Sequence, residues 1–121
     1  MELDSFFLVL QSTDSGSAHH NYDTMVYMAP EVYDGNTCLK SDVWSLGISM
    51  IEMAESKNPF ADCTAYIVMK KVCYEEPPSL SSSGWSSDLN DFVTRCLQKD
   101  VDKRASVDDL LKVRITFRYN E

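Results

Sequence analysis

Few side chains in this 121-residue chain stand at spacings that support chemistry. The four cysteines, Cys38, Cys63, Cys73 and Cys96, form no C-x-x-C pair. The two histidines, His19 and His20, are adjacent, so metal-ligand spacing is missing. Gly16, Gly35, Gly47 and Gly84 lie too far apart for a G-x-S-x-G nucleophile elbow or a G-x-G-x-x-G phosphate loop. No Ser-His-Asp constellation can be read. The acidic residues scatter along helix faces, as on a solvated exterior, and do not pair as catalytic carboxylates. Four thiols could pair in three ways, but each stands among apolar or helical residues, which predicts reduced, mostly buried cysteines.

The elements that would position any site follow from composition and periodicity. Eleven Lys+Arg against 19 Asp+Glu give a net charge of −8, and the pI is near 4.6. That balance excludes a generic nucleic-acid binder, which needs clustered Lys and Arg. With 44% hydrophobic and 25% charged residues the chain sits in the ordinary globular range, at a length that suits one domain. The acidic start, Met1 to Asp4, lacks the basic region of a signal peptide, and no apolar run approaches a membrane span. A cytoplasmic protein with no membrane partner is the expectation.

Four helices are predicted. From Asp42 to Ala54, Val43, Trp44, Leu46, Ile48, Met50, Ile51 and Met53 point in nearly every helical direction, so this helix should run buried all round through the core. Ser41 or Asp42 can cap it, and Lys57-Asn58-Pro59 stops it. From Thr64 to Tyr74, Ala65, Val68, Met69 and Val72 form one buried stripe, with Lys70 and Lys71 outside. Glu75-Glu76-Pro77-Pro78 then forces an extended chain. A third helix is marked from Ser87, its cap, by Leu89, Phe92, Val93, Cys96 and Leu97. A fourth begins at Ser106 with a capping-box pattern to Asp109, and Val107, Leu110 and Leu111 supply its inner face. Serine-rich residues 79–87 read as a surface loop tethered by Trp85, and residues 11–24 as a second polar loop. Phe6 to Leu10 and Val113 to Tyr119 look strand-like, and either pair or fray.

Met28-Ala29-Pro30-Glu31, followed by Lys40-Ser41-Asp42-Val43-Trp44-Ser45-Leu46-Gly47, resembles a eukaryotic protein kinase. Ala29-Pro30-Glu31 matches the A-P-E motif that ends the activation segment, and the second run matches the start of the central F helix. Lys99 to Ser106 matches the turn that carries the family's late, ion-pairing arginine, here Arg104. Ile51 to Glu55, Asn58 to Asp62 and Trp85 to Val93 are similar to the sterile-twenty group of serine/threonine kinases, including Hippo-type members. Gln11 to Ser15 looks like the middle of that group's activation loop. The resemblance spans residues 10–112 and leaves 1–9 and 113–121 divergent. It implies a mainly α fold, the helical C-terminal lobe of a kinase with the N-terminal lobe absent.

The resemblance also assigns roles. Glu31 should pair with Arg104, tying the substrate-side loop to the helical base. The position matching Asp42 caps the F helix and holds the catalytic-loop backbone. Thr24 matches the threonine that braces the catalytic aspartate, although Asp23 stands where the group has Gly and Met25-Val26 where it has Pro-Tyr or Pro-Phe. Ser12, Thr13, Ser15 and Ser17 are phosphorylation candidates by position, or simply parts of a polar loop.

Phosphoryl transfer requires a phosphate cradle, Mg²⁺ ligands and a carboxylate that orients the attacking hydroxyl. The sequence holds no V-A-I-K lysine, no H-R-D with its downstream Asn and no D-F-G, and His19-His20-Asn21 is not a catalytic loop. The family's H-P-F is replaced by Val113-Arg114-Ile115. ATP and Mg²⁺ are therefore implied for the full family domain and no cofactor for this chain. Two functions compete: a catalytically inactive, protein-binding lobe, truncated relative to its family, or part of an ATP-dependent serine/threonine kinase. Lobe surface near Asp42 and Trp44, uncovered in such a fragment, would favour self-association or a protein partner.

Overall fold

The computed structural model describes residues 22–113, and these form a helical assembly. Among the described residues the elements are α1 (Tyr22–Met25), α2 (Pro30–Tyr33), α3 (Leu39–Glu55), α4 (Ala65–Tyr74), α5 (Ser87–Cys96) and α6 (Val107–Leu111), with no strand element. The mainly α expectation holds. The strand-like runs at the ends, the serines and threonine at 12–17, and His19-His20-Asn21 lie outside the described residues.

Helix α3 forms the axis. Val43, Trp44, Ile48 and Ile51 are each at most 1% exposed, and α3 packs most extensively against α5. The crossing is close because position 47 is glycine: a Cβ there would lie 2.7 Å from Cys96 Cβ and 2.8 Å from the Leu97 side chain. From α5, Leu89, Phe92, Val93 and Cys96 complete the core, joined by Val68 and Val72 of α4. Helix α4 also packs on α1 and α2, so it supports the segment that runs between them.

Several local expectations need correction. Helix α3 begins three residues before Asp42, because Cys38 is its N-cap: Sγ accepts from the Ser41 amide while Ser41 Oγ accepts from the Cys38 amide. Asp42 thus lies one turn inside the helix and caps nothing. Nor is α3 buried all round. Leu46 is half-buried and Met53 is 49% exposed, whereas Trp44 is wholly enclosed and offers no surface patch. Ser86, not Ser87, caps α5, accepting from Leu89 N at 3.2 Å. Only Leu110 of α6 is buried; Val107 and Leu111 face outward, since a five-residue helix presents a single turn to the core. The four cysteines are free, but Cys96 alone is buried, Cys63 and Cys73 are half-buried, and Cys38 is exposed.

Other features agree with the sequence reading. Ser106 with Asp109 forms a reciprocal capping box on α6, and Val68 and Val72 of the α4 stripe are buried, whereas Thr64 caps that helix, Ala65 beside it is exposed and Met69 is half-buried. Trp85 is half-buried against the core and anchors the serine loop, whose Ser81 and Ser82 amides both bind Glu55.

Candidate functional site

The residues that carried the resemblance converge where residues 24–33 lie across the N-terminal half of α3. Ala29, fully buried, precedes α2, and Pro30 occupies its first turn, where a missing N–H is harmless. That placement directs Glu31 inward. Arg104 Nη1 and Nη2 donate to Glu31 Oε2 and Oε1, each at 2.8 Å, a two-pronged pair with Arg104 only 1% exposed.

Three further contacts complete the environment of Arg104. Its Nε donates to Gln98 O at 2.8 Å and Nη1 to Lys40 O at 2.9 Å. The guanidinium carbon lies 5.4 Å from the centre of the Trp44 ring, within cation–π range. Ser41 Oγ donates to Glu31 Oε2 at 2.7 Å. Burial alone would push the Glu31 carboxyl upward, but the Arg104 and Ser41 hydrogen bonds outweigh it and hold the carboxyl below its usual range. The pair closes a loop over 73 residues of sequence.

Serines at every fourth position of α3 provide contacts that the motif matches did not single out. Ser45 Oγ donates to Tyr27 O at 2.6 Å, and Ser49 Oγ to Ser45 O at 3.0 Å. The signal was available: Ser41, Ser45 and Ser49 make a polar row on an otherwise apolar helix. Tyr27 and Glu52 were also missed. The Tyr27 hydroxyl donates to Glu52 Oε2 at 2.6 Å, and burial followed by this carboxylate pushes the phenol up to about 12. Asn58, buried beside it, gives Oδ1 to Phe60 N while its Nδ2 finds no acceptor among the described residues. Tyr33 OH donates to Met25 O at 2.9 Å and closes the segment on itself.

Thr24 sits half-buried within α1, its carbonyl accepting from Tyr27 N at 3.1 Å, upstream of the Glu31 pair. Asp42 is half-buried, takes no part in the Glu31 network, and is raised above its ordinary value by burial. Trp44 and Gly47 act through packing, the first under Arg104 and the second at the α3–α5 crossing. Among the described residues no three His, Cys, Asp or Glu side chains gather as a metal site. What the geometry does is clamp a loop onto a helix at several points.

A clamped loop on a central helix, closed by a distant arginine, is the base of a kinase domain. Residues 6–115 match the protein kinase domain family, and the chain belongs to that family. Serine/threonine-protein kinase pakF of Dictyostelium discoideum is 48% identical over 90 residues, 73% of this chain and 8% of pakF. Serine/threonine-protein kinase TAO1-A of Xenopus laevis is 42% identical over 97 residues, 74% of this chain and 9% of that protein. Dual specificity mitogen-activated protein kinase kinase 7 of Homo sapiens is 36% identical over 127 residues, 98% of this chain and 30% of that kinase. The chain spans less than a third of each relative's length. These likenesses support the sterile-twenty resemblance. No described helix is long and apolar enough to cross a membrane.

Proposed function

We propose that these 121 residues form the substrate-side base of a serine/threonine kinase-type domain and, by themselves, bind protein and not ATP. The observation that carries the reading is an intact Glu31–Arg104 clamp in a chain without any motif for holding phosphates or Mg²⁺. Catalysis of phosphoryl transfer rests on positioning and on electrostatic stabilisation by metals and oriented groups. This chain supplies positioning alone. Residues 24–33 are held against α3 by the Ser45–Tyr27, Tyr27–Glu52 and Glu31–Arg104 contacts, so a partner polypeptide would meet a preorganised edge. A partner could be a kinase substrate, a scaffold or a complementary lobe.

A ligand that binds only the native state raises its stability, by about 2.7 kcal/mol at a hundredfold excess over Kd. Mg²⁺ and ATP at millimolar levels are expected to leave the thermal midpoint unchanged. A clear upward shift would overturn the proposal. So would phosphate incorporation into a generic protein substrate, above a mock preparation and lost on mutating Thr24.

The identity to named serine/threonine kinases favours a second reading, in which the same residues serve an active ATP-dependent kinase when joined to a nucleotide-binding lobe. Supplying such a lobe in trans and measuring phosphate transfer separates the two.

A further inference from the structure

Residues 79–87 hold six serines, and residues 76–82 form neither helix nor turn. Leu80 and Trp85 lean on the core, and one carboxylate fixes the stretch between them. Glu55, the last residue of α3, accepts from the Ser81 amide and, at 3.2 Å, from the Ser82 amide through Oε1. Its Oε2 accepts from Ser81 Oγ at 2.9 Å. Both carboxylate oxygens are thus engaged by a loop 26 to 27 residues further along the chain. The other serines of the run are placed differently. Ser86 caps α5, Ser87 lies in that helix, and the Ser82 hydroxyl accepts from Gly84 N. Ser79 and Ser83 are exposed, and neither bonds to Glu55. Ser81 is the exposed serine here whose hydroxyl donates to a carboxylate, and it can be reached without unwinding a helix.

We propose that Ser81 is a phosphorylation site and that its phosphate releases the strap of residues 79–84 from the end of α3. A separate protein serine kinase performs the transfer with ATP. Ser81 Oγ bonds to the γ-phosphorus and the bond from that phosphorus to the β,γ-bridging oxygen breaks. ADP leaves, and the hydroxyl proton passes to the kinase's base and on to solvent. The ester oxygen then has no hydrogen to donate. A group carrying about −1.5 to −2 charges at pH 7 stands beside the Glu55 carboxylate, so repulsion replaces a bond. Lys57, the cation nearest to Glu55 along the chain, is already engaged by Asp62. The two amide bonds depend on the same carboxylate, so the three contacts are lost together. One hydroxyl thereby sets whether the strap is fixed or free.

Two measurements on the whole chain test this. When the chain is produced in eukaryotic cells under phosphatase inhibition, phosphopeptide mass spectrometry should place a phosphate on Ser81. Its absence there overturns the site. For the consequence, phosphoserine is incorporated at position 81 by genetic encoding, and chymotryptic cleavage after Trp85, the half-buried tether, is timed. Losing the bonds to a charged acceptor should speed that cleavage roughly tenfold. Phosphoserine at position 83 should change it little. Glu55→Arg reverses the sign. Without phosphate the variant loosens the strap, because a guanidinium cannot accept from the amides. With phosphoserine at position 81 it pairs with the phosphate and slows cleavage again. Unchanged cleavage on phosphorylation at 81, an equal effect from position 83, or further loosening of the Glu55→Arg variant by phosphate overturns the proposal. Neither measurement depends on whether this chain binds ATP or a protein partner.

Discussion

Arg104 places every arm of its guanidinium on an acceptor, with two bonds to Glu31 and one each to the carbonyls of Gln98 and Lys40. Removing a partner from so enclosed a pair leaves a buried charge unanswered, which typically costs about 3–5 kcal/mol. Arg104→Ala is therefore expected to unfold the chain or lower its urea midpoint severely, with Arg104→Lys intermediate because an ammonium cannot make the fork. A loss under about 1 kcal/mol would show the clamp to be dispensable. Cysteine reactivity offers a second residue-level measurement. Burial pushes the Cys96 thiol up to about 12, whereas Cys38 is exposed at a helix start. Alkylation followed by mass spectrometry should label Cys38 in the native state and Cys96 only on unfolding. Rapid native labelling of Cys96 would contradict the packing described for α5.

The α3–α5 crossing depends on one missing methyl. With Cys96 Cβ at 2.7 Å from the position a side chain would occupy, Gly47→Ala must push two buried helices apart. A cost of about 1–3 kcal/mol is expected, the range for overpacking a well-filled core. At its other end α3 stops at Ser56, left-handed at φ 58, a conformation that glycine adopts without penalty. Ser56→Gly should thus raise stability by up to about 1 kcal/mol; a decrease in the thermal midpoint would exclude strain there. These two positions show what was legible. Gly47 could be singled out through its motif and α3 through its apolar period, because both are properties of one continuous stretch. The start of α3 could not be placed, since a cysteine cap has no recognisable signature beside Ser41 and Asp42. Likewise, the Tyr27–Glu52 bond joins residues on separate elements, so no local pattern marks it. Exposed Val107 and Leu111 looked like core for the same reason: periodicity says which residues share a face, not how much partner surface that face meets.

Over the whole molecule, acid has opposing effects, and their order can be worked out. At neutral pH the net charge of −8 makes the folded chain repel itself, and protonation toward the pI near 4.6 relieves this. Asp42 acts in the same direction. Its folded pKa is raised by burial, so its contribution is complete below the ordinary aspartate value of about 3.9 and is lost as pH rises through the raised one. Glu31 acts oppositely. Its folded pKa is lowered, so its stabilisation is full above the ordinary glutamate value of about 4.3 and disappears as pH falls through the lowered one. The clamp therefore survives while repulsion and the Asp42 cost are being relieved. Thermal midpoints should climb from pH 8 to about pH 5 and fall below about pH 4. Asp42→Asn should raise stability at pH 7 and flatten the climb, whereas Glu31→Gln should be less stable at pH 7 and flatten the fall. Added salt at pH 7 should raise the wild-type midpoint by screening the excess carboxylates. A midpoint that declines steadily from pH 7 to pH 5 would mean that the clamp, and not charge repulsion, already governs stability there, and the assigned order of titration would be wrong.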